Sequence, residues 1–343
     1  MSLIDETHFK TSPVIHRYAG NPILTAQQVP YHATLVFNAG VTKYEGRYVM
    51  VFRNDYGEWG SPVFQGTNLG LAFSGDGIRW QVEPQPIWDR ERAAQAAAHL
   101  LNCPDPEREV IRAYDPRLTV IDGQVYMCFA MDTRHGLRGG IARTSDFARF
   151  EVLSLSAPDN RNMVLFPERV NGQFLRLERP MPVYSRGRDR FDLWLGASPD
   201  LRLWDTPRLV LAVEDVPFAN DKIGPGAPPV RTPRGWLALY HAVDIDPSRG
   251  KNGWEARWTK RYSIGLMLLD LDPPWRVIGH LPTPLMVPDT RYEKEEGFRT
   301  NVLFPGGMIL EDSGEVKIYY GGADTVECLA TADLADLLKL LGK

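Results

Sequence analysis

The sequence predicts an all-β fold: a five-bladed β-propeller with a short inserted helix and a C-terminal helix. One pattern, a strand, a glycine turn and a second strand, returns five times, with turn glycines at Gly46, Gly123, Gly172, Gly235 and Gly314. Most of these hairpins are followed by a third strand, a turn rich in Ser, Asp, Pro or Gly, and an aromatic residue before a further short strand. About four strands per unit, repeated radially, indicate a propeller. A β-sandwich is the alternative, but a single sandwich seldom needs so many hairpins.

The elements follow in order along the chain. The second-strand segments of the hairpins are YEGRYVMVFR, IDGQVYMCFAMD, VNGQFLRLERP, TPRGWLALYHAVD and DSGEVKIYYGGAD. A helical pattern is confined to DRERAAQAAAHLL, between the first two blades, and to TADLADLLKLL at the C-terminus, for which we expect Thr331 as the N-cap. We expect residues 1–343 to form one domain.

Composition excludes several classes of function. The 343 residues carry a formal net charge of −4 and a pI near 6.0, so nucleic acid and anionic membranes are poor candidate partners. Three widely spaced cysteines predict a reducing compartment, and neither a secretory signal nor a long apolar run is present in the sequence. We therefore expect a cytoplasmic protein without a membrane partner, and assembly into a homo-oligomer stays open.

Polar residues recur at one end of the predicted blades. In a propeller, the start of each first strand and the end of each second strand lie on the same face. The first-strand starts carry Asn38, Asp115, Arg161, Asn162, Lys222 and Asn301. The second-strand ends carry Arg53, Asp55, Asp132, Arg179, His241 and Asp324. Each residue alone is explained by a turn, a core hydrogen bond or a tie between blades, but together they predict one polar funnel.

Asp115 stands out within this set because Tyr114 precedes it and Pro116 follows it. We expect it just before the first strand of blade 2, in extended backbone, since proline disfavours the α region for the residue before it. Asp122-Gly123 then predicts a tight hairpin turn. Asp115 is thus either a turn residue or an acid at the mouth of the channel.

The charges of the funnel favour one chemistry over another. Glycoside hydrolysis uses two carboxyl groups, one as acid and one as base or nucleophile, and a cationic cluster helps neither. Arg53, Arg161 and Lys222 would instead bind a phosphate, because guanidinium groups match phosphate oxygens in bidentate fashion. Aromatic residues near the funnel, Phe37, Tyr114, Tyr240, Trp254, Trp258 and Phe304, are candidates to stack on sugar rings.

From about residue 13 to the C-terminus, the chain resembles the β-mannoside phosphorylases of glycoside hydrolase family 130. The motifs that carry the resemblance are FNAGVTKYEGRYVMVFR, YDPRLT, RNMVLFPE, KIGPGAPPV, YHAV, LLDLDPP and IYYGGADT. The resemblance implies a five-bladed propeller and an inverting reaction in which a β-mannoside and inorganic phosphate give α-mannose 1-phosphate. It also implies that Asp115 is the general acid, relaying its proton through the 3-hydroxyl of the transferred mannose.

The same resemblance implies roles for the other residues. Those matching the phosphate site are Arg53, Arg161, Asn162 and Lys222, and those matching contacts to the reacting mannose are Asn38, Asp55, Tyr114, Arg179, His241 and Asp324. Arg179 fits both groups. Variants such as FRNDYG and DTRHGLRGG resemble the subgroup that acts on β-1,2-mannobiose or short β-1,2-mannooligosaccharides.

Other functions stay open from the sequence. One is phosphorolysis of β-1,4-linked mannosyl-glucose or mannooligosaccharides. A β-mannosidase that uses water needs a second carboxylate, for which Asp55, Asp132 and Asp324 are the candidates. A third is a non-catalytic sugar-binding propeller. The histidines show no metal-ligand spacing, so we expect neither a metal nor a cofactor beyond phosphate as co-substrate.

Overall fold

The computed structural model describes residues 4, 6–61, 64–182, 187–205, 207–249, 253–255 and 258–342. These residues form five antiparallel sheets. The sheets are the blades of a β-propeller, which confirms the predicted fold. Within each blade the strands pair in chain order from the inner strand outwards, apart from β15 (Val230–Thr232) in the fourth blade and β1 (His16–Arg17) in the fifth.

The strands divide among the blades as follows. Strand β1 (His16–Arg17) precedes blade 1, which contains β2 (Leu35–Tyr44), β3 (Arg47–Tyr56), β4 (Gly66–Ser74) and β5 (Gln81–Val82). Blade 2 contains β6 (Val110–Ile121), β7 (Gln124–Thr133), β8 (Gly136–Thr144) and β9 (Glu151–Leu155). Blade 3 contains β10 (Asn160–Leu165), β11 (Phe174–Pro180), β12 (Leu193–Ser198) and β13 (Arg208–Leu211).

Blades 4 and 5 complete the ring. Blade 4 contains β14 (Lys222–Pro225), β15 (Val230–Thr232), β16 (Gly235–Ile245), β17 (Lys260–Leu269) and β18 (Val277–His280), and both β14 and β15 pair with β16. Blade 5 contains β19 (Leu303–Leu310), β20 (Glu315–Gly322) and β21 (Val326–Asp333), and its fourth strand is β1 from the start of the chain. His16 lies opposite Thr331 in this pairing, so one sheet joins the two ends of the chain and closes the ring.

The described residues also include four α-helices: α1 (Arg90–Leu101), α2 (Pro106–Glu109), α3 (Arg291–Lys294) and α4 (Leu334–Leu340). The predicted inserted helix is α1, and Asp89 caps it by accepting a hydrogen bond from the amide of Arg92. The predicted cap of α4 is wrong, because Asp333 caps this helix while Thr331 lies inside β21. No helix among the described residues is long and apolar enough to span a membrane.

Apolar clusters between neighbouring blades hold the ring together. Side chains from β3 and β4 of blade 1 meet those of β6 and β7 of blade 2, and the buried face of α1 covers them. Comparable clusters join blades 2 and 3, 3 and 4, 4 and 5, and 5 and 1. Each fully buried Val, Leu, Ile or Phe contributes about 1.5–3 kcal/mol by leaving water, so every blade depends on both of its neighbours.

The inner strands approach closely at the axis, and this leaves no room for a side chain at some positions. A Cβ atom on Gly306 of β19 would lie 1.9 Å from the carbonyl oxygen of Ala39 in β2. Any residue but glycine would therefore push blades 5 and 1 apart. This close approach of the inner strands at the propeller axis sets the distances between the residues at the starts of those strands.

Three inner strands carry a bulge whose central residue points into the site. The φ angles are +52° at Asn38, +53° at Asp115 and +59° at Asn162, and the strand register shifts at each position. Asn and Asp enter this left-handed region more readily than other residues with side chains. The expectation that Asp115 precedes the strand in extended backbone is wrong. It lies inside β6, where the bulge turns its carboxyl group out of the ladder.

Candidate active site

A cavity of about 310 Å³ opens where the inner strands begin. The predicted site residues that line it are Asn38, Arg53, Asp55, Tyr114, Asp115, Arg161, Asn162, Arg179 and Asp324. Lys222 and His241 do not line it and lie buried beside it. The structure therefore brings residues of every blade to one place, with blade 4 represented in the lining by Tyr262.

One side of the cavity, which we call the acidic half, contains Asn38, Arg53, Asp55, Asp115 and Asp324. The guanidinium of Arg53 forms a bidentate pair with Asp55, with nitrogen to oxygen distances of 2.6 and 2.9 Å. Its remaining Nη1 donates to Asp115 Oδ1 at 3.1 Å, and Asn38 Nδ2 donates to the same oxygen at 3.0 Å. The rings of Phe37 and Tyr114 lie 4.6 and 4.8 Å from the guanidinium carbon of Arg53. All three guanidinium nitrogens of Arg53 therefore donate to a carboxylate.

The neighbours of Asp115 set its ionisation. Burial alone would raise the pKa of its carboxyl group. The positive charges of Arg53 and Arg117 and the hydrogen bond from Asn38 together lower the pKa by more than burial raises it. The pKa of Asp115 therefore lies below its ordinary value, and the group is a carboxylate at neutral pH when the cavity holds no substrate. Burial raises the pKa of the neighbouring Asp324, and Arg299 and Arg53 oppose this.

Tyr114 connects the acidic half to the opposite wall. Its hydroxyl donates to Asp132 Oδ1 at 2.8 Å and accepts from Arg161 Nη1 at 3.1 Å. Arg112 Nε donates to the other oxygen of Asp132 at 2.7 Å, so both oxygens of that carboxylate are bound. Arg112 lines the cavity and was not predicted.

The opposite side, the cationic half, consists of Arg161, Asn162 and Arg179 in the lining and of Lys222, which is buried behind them. Among the residues that the structure describes, no hydrogen-bond partner is found for Nε of Arg161 or for Nε and Nη2 of Arg179, although all three atoms are buried. Burial and the nearby charge of Arg161 lower the pKa of Arg179 to about 9. Burial and Arg179 also lower the pKa of Lys222. Buried hydrogen-bond donors without partners, close to other positive charges, are the features expected of a site that binds an anion.

His241 supports this half from behind. Its Nδ1 lies 3.2 Å from the carbonyl oxygen of Pro225, and its Nε2 lies 3.3 Å from Arg179 Nη1. Burial and the charges of Arg179 and Lys222 hold the pKa of His241 well below its ordinary value, so the ring is neutral. We assign the proton to Nδ1, because this leaves Nε2 as the acceptor that orients Arg179.

Arg299 lies at the rim of the acidic half. Its Nη1 is 3.4 Å from Asp324 Oδ2, and its Nε pairs with Glu255. Arg299 and Tyr262 line the cavity, but neither stands at a first-strand start or a second-strand end, so the sequence pattern gave no signal for them. Tyr262 belongs to the third strand of its blade, and its ring lies 5.6 Å from Lys222 Nζ.

Of the aromatic residues predicted to stack on sugar rings, some line the cavity and others are buried behind it. Phe37 and Phe304 line the cavity. Tyr240 is fully buried in the core between blades 3 and 4, so its prediction as a sugar contact is wrong. Trp258 is buried, packs on Tyr262 and donates its indole N–H to the carbonyl of Thr300, so it supports the wall from outside. Among the described residues, no three His, Cys, Asp or Glu side chains are grouped to hold a metal ion.

Comparison with known proteins places this geometry in a family. The sequence profile of glycoside hydrolase family 130, described as beta-1,4-mannooligosaccharide phosphorylase, matches residues 6–343. A beta-1,4-mannooligosaccharide phosphorylase of Ruminococcus albus is 32% identical over 333 residues, which cover 95% of this chain and 90% of that protein. A beta-1,2-mannobiose phosphorylase of Listeria innocua is 26% identical over 366 residues, covering 95% of this chain and 98% of that protein. The solved structure of the Listeria innocua enzyme with β-1,2-mannobiose superposes with a TM-score of 0.78 at 25% identity, covering 96% of this chain and 99% of the other. The chain is therefore an enzyme of glycoside hydrolase family 130.

Proposed function

We propose that the protein is an inverting phosphorylase that cleaves a β-mannoside with inorganic phosphate to give α-mannose 1-phosphate. The observation that carries this proposal is the pair of neighbouring arginines, Arg161 and Arg179, of which Nε of Arg161 and Nε and Nη2 of Arg179 are buried without a hydrogen-bond partner among the described residues. A dianionic phosphate would accept these donors and balance the charges. Its oxygen would attack the anomeric carbon while the bond to the leaving sugar breaks.

The geometry suggests two changes, at Arg53 and His241, to the roles that the resemblance implies. Arg161, Asn162 and Arg179, with Lys222 behind them, would bind the phosphate. Arg53 would instead hold Asp55 and Asp115 at the mannose, because both of these carboxylates already occupy its donors. Asn38, Tyr114 and Asp324 would complete the contacts to the mannose, and His241 would orient Arg179 rather than touch the sugar.

Asp115 would give its proton to the leaving oxygen, through the 3-hydroxyl of the mannose as the resemblance implies. Without substrates its pKa lies below the ordinary value, since Arg53, Arg117 and Arg161 all favour the carboxylate and outweigh the effect of burial. A bound phosphate would offset the charge of Arg161, and a bound sugar would exclude water. Both effects raise the pKa of the carboxyl group, so the acid would form only when both substrates are present.

The state of the other carboxylates supports phosphate over water as the nucleophile. A hydrolase needs a second carboxylate free to activate water. Here Asp55 is held by Arg53 and Thr67, Asp132 by Arg112 and Tyr114, and Asp324 is paired with Arg299. None of these three candidates stands on the cationic side as an unpaired base.

Two linkages are candidates for the substrate. The sequence variants and the similarity to the Listeria innocua β-1,2-mannobiose phosphorylase favour β-1,2-mannobiose or short β-1,2-mannooligosaccharides. The family description and the Ruminococcus albus relative favour β-1,4-mannooligosaccharides. We propose the β-1,2 linkage first and the β-1,4 linkage as the second candidate.

The test is to incubate the purified protein with β-1,2-mannobiose, β-1,4-mannobiose and β-1,4-mannosyl-glucose, each with and without phosphate. We expect α-mannose 1-phosphate to form from one of these sugars only when phosphate is present, without an added metal or cofactor. Release of free mannose at the same rate without phosphate would show a hydrolase. Binding of a sugar without any product would show the non-catalytic alternative.

A further inference from the structure

An aromatic path leads out of the cavity to the surface. We call its members, Phe64, Phe298, Trp254 and Trp59, the aromatic rim. Phe64 and Phe298 line the cavity, with ring centroids 5.0 Å apart. Trp254 packs edge-on against Phe298 at 5.8 Å, and Trp59 packs edge-on against Trp254 at 4.2 Å. The rings therefore touch in series from the mannose site to solvent.

Trp59 stands out because 62% of its surface is exposed, the highest value for an exposed aromatic among the described residues. Together with Trp254 and the cavity aromatics it forms an exposed apolar patch, and such a patch beside a cavity commonly marks a contact for a ligand. Trp59 belongs to the segment after β3 of blade 1, whereas Trp254 belongs to the segment between β16 and β17 of blade 4. Two different blades thus place these two rings together.

Polar groups lie beside the aromatic rim, as a sugar site requires. Glu255 directly follows Trp254, and it pairs with Arg299, which in turn reaches Asp324 inside the cavity. The guanidinium carbon of Arg299 also lies 5.1 Å from the ring centroid of Phe298. Aromatic faces with a few fixed polar groups at their edges suit a pyranose ring, which has one apolar face and a perimeter of hydroxyls.

We propose that Trp59 and Trp254 bind the leaving sugar of the mannoside and determine which acceptors the enzyme uses. This inference rests on the proposed function, because the mannose to be transferred then fills the cavity and the next sugar must emerge from it. The aromatic rim is continuous with that cavity, so the emerging sugar meets Trp254 first and Trp59 next. Oligosaccharides with a second acceptor unit should gain the most from Trp59.

The test uses the reverse reaction, in which the enzyme joins α-mannose 1-phosphate to an acceptor sugar. Trp59→Ala should raise the KM for mannobiose as acceptor about 3- to 10-fold, the range expected for loss of one aromatic contact, and should raise the KM for mannose less. The KM for α-mannose 1-phosphate should not change, since the cationic half is intact. Trp59→Phe should restore most of the acceptor affinity, because it keeps an aromatic ring at the position.

The control is Trp275→Ala. Trp275 is 38% exposed and packs against Arg208 on the outside of the propeller, so its loss should leave both constants unchanged. A KM for mannobiose within twofold of the unsubstituted enzyme in Trp59→Ala would overturn the proposal. So would an equal rise in the KM for α-mannose 1-phosphate, which would indicate a general distortion.

A binding measurement separates this proposal from the proposed function. Titration of the protein with mannobiose should quench tryptophan fluorescence, and Trp59→Ala should lose much of that response. This readout needs no turnover. A protein without phosphorylase activity that still shows the Trp59-dependent response would contradict the proposed function alone, whereas an active enzyme with an unchanged response in Trp59→Ala would contradict the rim proposal alone.

Discussion

The two halves of the cavity both depend on buried arginines, but they use them in opposite ways. In the acidic half, Arg53 donates to two carboxylates and lies close to the rings of Phe37 and Tyr114. In the cationic half, Arg179 has one neutral partner, His241, and its Nε and Nη2 are buried without a partner among the described residues. The same side chain is therefore satisfied on one side and unsatisfied on the other.

This difference separates residues that complete the fold from residues that wait for a ligand. Removal of one partner of a buried ion pair strongly destabilises a protein, because an uncompensated charge remains. A buried charge without a partner already carries that cost, so its removal should stabilise the free protein. Stability measurements thus distinguish the two halves without any assay of activity.

The largest effect is expected for Asp115→Asn. Asparagine keeps the size of the side chain but has no proton to give, and general acid catalysis contributes roughly 100- to 10,000-fold. We expect kcat for phosphorolysis to fall within that range, while phosphate still raises the melting temperature through the intact cationic half. Retention of more than a tenth of the activity would show that another group supplies the proton.

The next effect is expected for Arg53→Met. This change leaves Asp55 and Asp115 close together without their shared cation, and breaking a buried pair costs about 3–5 kcal/mol. Urea denaturation should show a loss of stability of that size. A loss below about 1 kcal/mol would mean that Arg53 does not stabilise the acidic half, and the comparison would fail on this side.

The architecture could be predicted because its signals are local. Hairpin turns such as Asp122-Gly123 have a residue pair that favours positive φ, and the observed angles are +52° and +77°. The closing strand β1 could not be foreseen, because a two-residue strand has no periodicity and its partner lies more than 300 residues away. Asp333 rather than Thr331 caps α4 because β21 extends two residues further than its pattern suggested.

The sequence predicted the site residues that stand at the repeated strand positions, and it missed the residues that stand elsewhere. Asp115 was found from its position, but its left-handed backbone was not, because the rule for residues before proline argues for extended structure. Arg112 and Arg299 lie outside the two repeated strand positions, and only the folded chain brings them to the cavity. Whether an arginine is paired depends on contacts that only the folded chain creates. The sequence therefore grouped Arg53 with the phosphate ligands, although in the structure it pairs with Asp55 and Asp115.

Arg179→Met should have the opposite sign to Arg53→Met. The pKa of Arg179 falls to about 9 on folding, which means that folding disfavours its charge. Its removal should therefore stabilise the free protein by about 2 kcal/mol. Below pH 9 the group is charged in both the folded and the unfolded state. The gain should therefore be constant between pH 6 and pH 8.

Phosphate provides the control for Arg179→Met. Ligand binding stabilises a folded protein in proportion to ln(1 + [L]/Kd), so phosphate at 100 times its Kd should add about 2.7 kcal/mol to the unsubstituted protein. The variant should lose most of this increment. A variant that is destabilised, or that keeps the full phosphate effect, would show that Arg179 does not belong to an anion site.

The smallest effect is expected for Thr67→Val, which touches the acidic half alone. Thr67 is buried, and its hydroxyl donates to Asp55 Oδ1 at 2.7 Å. Loss of one hydrogen bond to a charged group, with Arg53 still in place, should cost about 1.5 kcal/mol. Thr119→Val is the matched control, since Thr119 is equally buried but its hydroxyl donates to a neutral carbonyl at 3.5 Å, and it should lose less. Because Thr67 acts only through Asp55, the stabilisation by phosphate should stay unchanged in Thr67→Val, and its loss would show that the two halves do not bind their ligands separately.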